Sequence, residues 1–260
     1  MATTKPSIFI TGAAGGFGQA VARKFVSEGW FVGLYDLDSE ALAILAADLG
    51  GPDHACYARL DVTDIEGARR AVAHFGEHTG GHLRVLFNNA GITGVGAFTD
   101  VPIEQHRRIV DVNLFGVMNV AYAAIPLLRL TPGAHLINVA SASALHGNPE
   151  LVSYSATKRA VLSFSESLDI GLEADGIRVS DLLPMYATTP IVLDYVNVHR
   201  KLRPTDIRLT PRDIAEATWK IVRTGKFRTY VGRDTRVFAP LSRLLPYRVR
   251  KWVSRKVIGW

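Results

Sequence analysis

Apolar residues recur along the chain in two alternating patterns. Short, nearly continuous apolar runs at Ser7–Thr11, Trp30–Tyr35, Ala55–Arg59, Val85–Asn88, His135–Ala140 and Ile177–Leu183 predict strands. Helical spacing between and after them predicts helices over Gly18–Gly29, Ser39–Leu49, Ile65–His78, Ile103–Leu128, Tyr154–Glu173 and Pro211–Thr224. In the first helix Val21, Ala22, Phe25 and Val26 share one face, and Ser39 is placed to cap the second. Strands apolar on both faces, each followed by a helix, predict a parallel sheet covered on both sides. Right-handed crossovers then wind the chain twice, giving one α/β domain.

Two segments break the alternation. Met185–Pro204 follows the sixth strand and is apolar at Met185, Tyr186, Ile191, Val192, Leu193, Tyr195 and Val196. An insertion after the C-terminal end of a strand borders the ligand crevice in such folds, so it is a candidate lid. The other misfit is the C-terminal segment. Residues 226–260 hold ten Lys or Arg and one acid, net +9, which leaves the remaining 225 residues at net −3 out of a total of +6. The basic balance therefore describes a tail, and it argues against nucleic acid as a partner of the main domain. Pro246–Trp260 has helical spacing, with Val249, Trp252, Val253, Val257 and Trp260 on one side and Arg248, Arg250, Lys251, Arg255 and Lys256 on the rest. A basic amphipathic helix of this kind suits a membrane surface, a sister subunit or the rim of the site.

Composition narrows the class further. The chain has 260 residues, 48% of them hydrophobic, which excludes intrinsic disorder. Its single cysteine, Cys56, excludes an internal disulfide and a cysteine-rich zinc site. The histidines show no ligand spacing with carboxylates, so no metal site is expected. No uninterrupted apolar run reaches transmembrane length, and the N-terminus carries no signal-peptide pattern, so a cytoplasmic protein is expected.

The chemistry begins at Thr11-Gly12-Ala13-Ala14-Gly15-Gly16-Phe17-Gly18, between the first strand and the first helix. Glycines there let backbone approach a pyrophosphate, and the helix N-terminus offers N–H groups and partial positive charge to it. That context, strand–glycine turn–helix, points to a dinucleotide and to a Rossmann-type domain. Asp36 ends the second strand, about 18 residues after the last glycine. A carboxylate there accepts from ribose hydroxyls and repels a 2′-phosphate, and Leu37 and Asp38 follow it with no cation. NAD is therefore expected over NADP.

With these residues in place the sequence resembles the classical short-chain dehydrogenases/reductases. The spacing Gly12-x3-Gly16-x-Gly18 is that family's, and Asp61-Val62, Asn88-Asn89-Ala90-Gly91, Asn113, Ser141 and Tyr154-Ser155-Ala156-Thr157-Lys158 follow in its order. The resemblance covers roughly residues 5–230 and leaves 231–260 as an extension. It implies that Asp61 and Val62 contact adenine and that Asn89, Ala90 and Gly91 line the cofactor. It further implies a catalytic set of Asn113, Ser141, Tyr154 and Lys158. Tyr154 and Lys158 lie at i and i+4, on one helix face. A tyrosine titrates near 10, and an adjacent ammonium favours its phenolate, so Tyr154 is the expected general acid/base. Lys158 would also hold the nicotinamide ribose, Ser141 the substrate oxygen, and Asn113 a water near Lys158. The family commonly has Pro-Gly after the sixth strand, where this chain has Pro184-Met185. Tyr186 or Ala187 is still placed at the nicotinamide amide, and Thr188 or Thr189 at a phosphate. Substrate contacts are expected from Ser143, His146, Met185, Ile191, Val192 and Tyr195.

The expected activity is hydride transfer between NAD(H) and a hydrophobic secondary alcohol or ketone, in a homodimer or homotetramer. A non-catalytic NAD(H) sensor or scaffold and a membrane-surface lipid, retinoid or steroid reductase using NADP(H) are the alternatives. A dehydratase or epimerase reaction is disfavoured, because no further acid/base motif is recognisable.

Overall fold

The computed structural model describes residues 2–185, 209–232 and 246–258. Seven strands, β1 (Ser7–Thr11), β2 (Phe31–Asp36), β3 (Ala55–Arg59), β4 (Val85–Asn88), β5 (His135–Val139), β6 (Arg178–Pro184) and β7 (Arg228–Val231), form one sheet in the order β3-β2-β1-β4-β5-β6-β7. All six pairings are parallel. The chain winds outward from β1 to β3, then returns to β4 on the other side of β1, so a crevice opens at the C-terminal ends of β1 and β4.

Period-2 alternation decides which side chain meets which layer. Ile8 and Ile10 of β1, with Val32 and Leu34 of β2, point into a core covered by α1 (Gly16–Ser27), α2 (Ser39–Asp48) and α7 (Pro211–Thr224). Phe9, Phe31 and Tyr35 point the opposite way, under α3 (Ile65–Thr79) and α5 (Gly116–Arg129). Phe9 and Tyr35 stack with ring centroids 4.0 Å apart. Each such buried side chain contributes roughly 1.5–3 kcal/mol. The α6 helix (Val152–Gly171) carries Tyr154 and Lys158 along the β5–β6 side, and α8 (Tyr247–Ile258) lies in the basic tail.

Three local expectations need correction. Asp38, not Ser39, caps α2: its side chain accepts from the Ala41 N–H. The single helix expected over 103–128 is interrupted. It divides into α4 (Ile103–Val110), a π-helical turn over Asp111–Phe115, and α5. This stretch is long and apolar enough to cross a membrane by length and composition. Val117, Val120, Ala121, Ala124 and Leu128 are nevertheless buried against the sheet and α3. The third correction is β7, an edge strand that the apolar pattern does not reveal, because three of its four residues are only half-buried. Arg228 ties it down by donating twice to the buried Asp181 of β6, at 3.1 and 2.7 Å. The helix expected at Pro211 starts there, closed by a capping box between Thr210 and Asp213.

Candidate active site

The glycine turn is built by close approach. Gly12 has φ +65°, and a Cβ on it would come within 2.9 Å of Ala90 Cα. Asn89 Nδ2 donates to the carbonyls of Thr11 and Gly12, each at 3.0 Å. Thr11 Oγ1 accepts from the N–H groups of Asn89 and Ala90. The turn is thus clamped to the end of β4. Gly15 is the N-cap of α1, with no side-chain cap and no acid in the first turn. Gly18 differs from the other motif glycines. It is buried, and a Cβ on it would lie 2.3 Å from the Gly12 carbonyl oxygen. It packs the helix onto the turn and does not line the cleft.

Asp36 sits beside this turn. Its Oδ2 accepts from the Ala14 N–H at 3.0 Å and its Oδ1 from Leu37 N–H at 2.7 Å. Asp61 accepts from the amide and hydroxyl of Thr63 and pairs with Arg108 at 3.3 Å. Burial pushes its carboxyl up, but Thr63 and Arg108 outweigh that and hold it below the usual range.

One cleft of about 380 Å³ joins these groups to the catalytic candidates. Gly12, Gly15, Gly16, Phe17, Asp36, Asp61, Val62, Asn89, Ala90 and Gly91 line it at one end; Ser141, Ser143, His146, Tyr154, Lys158, Pro184 and Met185 line the other. Tyr186, Ala187, Thr188, Thr189, Ile191, Val192 and Tyr195 lie outside the described residues. The lining also includes Leu37, Ile92, Arg108, Asn148 and Leu151, which the sequence motifs do not single out.

At the catalytic end Tyr154 and Ser141 line the same part of the cleft. Burial holds the Tyr154 phenol above its ordinary value, and the nearby Ser141 hydroxyl only partly offsets this. The lowering expected from a neighbouring ammonium is therefore not present in the protein alone. Lys158 Nζ lies 5.8 Å from the Tyr154 ring centre and donates to the Val139 carbonyl at 2.8 Å. Burial brings the Lys158 ammonium down to about 8. Ser141 is held by its neighbour: its Oγ accepts from the Ser143 N–H at 3.2 Å and from the Ser143 hydroxyl at 3.0 Å. Burial, with Arg159 nearby, lowers the His146 pKa.

Asn113 is fully buried behind this wall rather than in it. Its Oδ1 accepts from the Ile92 N–H at 2.8 Å and its Nδ2 donates to the Ile92 carbonyl at 2.9 Å. The π-helical turn delivers it: the wider turn aims a residue of the helix at the end of β4. His106, also buried, joins the same wall, with its ring bonded to the Ser153 hydroxyl at 2.7 Å and the Phe98 carbonyl at 3.0 Å.

Comparison with known proteins agrees with this architecture. The short chain dehydrogenase family model matches residues 6–197. Oxidoreductase UcpA of Salmonella typhimurium is 32% identical over 216 residues, 82% of this chain and 80% of that protein. The crystal structure of a short chain dehydrogenase/reductase from Burkholderia phymatum in complex with NAD superposes with a TM-score of 0.81 at 27% identity, covering 91% of this chain and 92% of that one. A variant of actinorhodin polyketide ketoreductase with NADPH superposes with a TM-score of 0.79 at 25% identity, covering 89% and 97%. With the parallel seven-stranded sheet, the glycine turn and the match over most of its length, this chain belongs to the classical short-chain dehydrogenase/reductase family of oxidoreductases.

Proposed function

We propose that the protein moves hydride between NAD(H) and a hydrophobic secondary alcohol or ketone. The observation that carries this reading is one continuous cleft, with Asp36 under the glycine turn at one end and Tyr154, Ser141 and Lys158 at the other. The residues fit a dinucleotide. A Cβ at Gly12 would fill the turn, and α1 presents an uncapped N-terminus to it. Gly12, Gly15, Gly16 and Phe17 would hold the pyrophosphate, Asp36 the adenosine ribose, and Asp61 and Val62 the adenine. Asp36 favours NAD by charge, since a 2′-phosphate would meet its carboxylate. The NADPH held by one structural relative is the contrary precedent. A bound nicotinamide supplies the hydride donor or acceptor.

The side chains do the rest. In the reductive direction the protonated Tyr154 hydroxyl donates its proton to the substrate oxygen, while Ser141 Oγ fixes that oxygen by a second hydrogen bond. In oxidation Tyr154 accepts the alcohol proton. The Lys158 ammonium, desolvated within 5.8 Å of the Tyr154 ring, favours negative charge on the phenolate when it forms. Ile92, Val139, Ala142, Leu151 and Met185 give the cleft apolar walls suited to a hydrophobic substrate. The test is NADH absorbance across a panel of secondary alcohols and ketones, run in parallel with NADP(H). Turnover preferring NAD supports the oxidoreductase reading and the role of Asp36, and turnover preferring NADP overturns that of Asp36. Absence of turnover with tight NADH binding overturns the enzyme reading in favour of a sensor or scaffold.

Two surface proposals accompany this one. Phe115, at the end of the π-helical turn, and Met118 and Tyr122 of α5 are exposed along one stripe, and we assign that stripe to a homodimer or homotetramer contact. Tyr247, Val249 and Trp252 are exposed on α8 beside Arg248, Lys251 and Arg255, a pattern suited to an anionic membrane surface. Unchanged liposome co-sedimentation after deletion of residues 246–260 would remove the membrane reading.

A further inference from the structure

On the α3 side of the sheet, near its β3 edge, three metal-binding side chains converge. Cys56 is buried on β3, while His74 and His78 stand one turn apart on α3. One ligand atom from each lies within 4.8 Å of the other two. The two imidazoles are in edge contact, 4.9 Å between centres. The Tyr35 hydroxyl bonds His74 Nδ1 at 3.0 Å and lies 3.8 Å from Cys56 Sγ. A tetrahedral zinc site places N and S ligands about 3.3–3.8 Å apart, so closure needs side-chain shifts of about 1 Å. The site lies away from the cleft. Cys56 pairs with Gly33, three residues before Asp36 along β2, or about 10 Å back from the crevice.

We propose that Cys56, His74 and His78 form a binding site for a divalent metal of the zinc type. Soft sulfur with two imidazoles selects zinc-like ions over calcium or magnesium. Tyr35 is the outer partner that orients the His74 ring through its hydroxyl. Glu77 adds a favourable carboxylate field, since its charge acts on both His74 and Tyr35. His78 is exposed, so the fourth position opens to water. On binding, the Cys56 thiol loses its proton to solvent and the sulfur donates an electron pair to the metal; no oxidant or reductant is involved. The ion would pin the last turns of α3 to β3.

The test uses the full chain, stripped with a chelator and titrated with Zn²⁺ alone. One equivalent should bind, with about one proton released and melting raised by about 5–10 °C at 100-fold excess over Kd. Co²⁺ in its place should show a thiolate-to-metal charge-transfer band. Cys56→Ser should abolish that band. His78→Ala, at an exposed position, should weaken Zn²⁺ at least about tenfold while leaving the melting of the metal-free protein unchanged. No stoichiometric binding, or wild-type affinity in both variants, overturns the site. Because the triad is separate from the cleft, neither outcome alters the oxidoreductase reading.

Discussion

Asn113 grips one residue by both ends of its amide: Ile92 gives its N–H to Oδ1 at 2.8 Å and takes the Nδ2–H on its carbonyl at 2.9 Å. Gly91 lies against the same groups, since a Cβ there would be 3.2 Å from Asn113 Oδ1 and 3.5 Å from Lys158 Nζ. The side chain that the family resemblance gives to a water near Lys158 is therefore bonded at both ends to backbone. Asn113→Ala leaves two buried backbone groups unpaired, at roughly 1–3 kcal/mol each. We expect a lower melting temperature and weaker NADH binding, because the β4 turn loosens. Thermal melts and NADH titration check this, and an unshifted melt would contradict the clamp.

Lys158 bears a desolvation cost. Burial lowers its ammonium from 10.5 to about 8. Below about pH 8 it is charged in both folded and unfolded states, and the cost is present in full. Between about 8 and 10.5 the folded state gives up the proton first, so this group's contribution makes stability rise with pH. Lys158→Met should therefore stabilise the protein at pH 7 by about 1–3 kcal/mol, flatten the pH dependence over that window, and abolish turnover. Ketone reduction by the wild type should fall as pH rises through about 8, when the charge beside Tyr154 is lost. Melts at pH 7 and 10, with initial rates over the same range, check both.

Asp36 gives a charge-specific prediction. Asp36→Asn keeps an acceptor for the Ala14 N–H but removes the negative charge facing a 2′-phosphate. The NADP-to-NAD ratio of kcat/KM should rise at least about tenfold, or 1.4 kcal/mol. An unchanged ratio would mean that Asp36 does not select the cofactor.

Gly18 tests packing rather than binding. A Cβ 2.3 Å from the Gly12 carbonyl cannot be relieved by a flexible side chain, because the atom it meets is backbone. Gly18→Ala should lower stability by roughly 1–3 kcal/mol and weaken NADH with it, since α1 must move off the turn. Gly15→Ala, whose Cβ would be 3.3 Å from the same oxygen, should be the milder change.

Much of this was legible because it is local. The glycine spacing, Asp36 at the end of β2, and Tyr154 with Lys158 one turn apart each follow from a few adjacent residues and the period of the element that carries them. What escaped depends on partners distant in sequence. The π-helical turn at Asp111–Phe115 has the same apolar spacing as the helix it interrupts. β7 is half-buried and is fixed by Arg228 on Asp181, which no short window contains. Arg108 joins the cleft beside Asp61, a partner 47 residues away in sequence. His74 and His78 do show i, i+4 spacing, but their third companion, Cys56, arrives from another strand, and only the β2–β3 register brings it under α3.

The most direct test of Tyr154 as the proton carrier is the rate of NADH formation from a responsive alcohol by wild type and by Tyr154→Phe, each at saturating NAD. The phenylalanine keeps the ring beside Lys158 and removes only the hydroxyl. A loss of about 10²–10⁴-fold in kcat with NADH affinity unchanged is expected. Turnover within a few-fold of wild type would contradict it, because the proton would then be moving through another group.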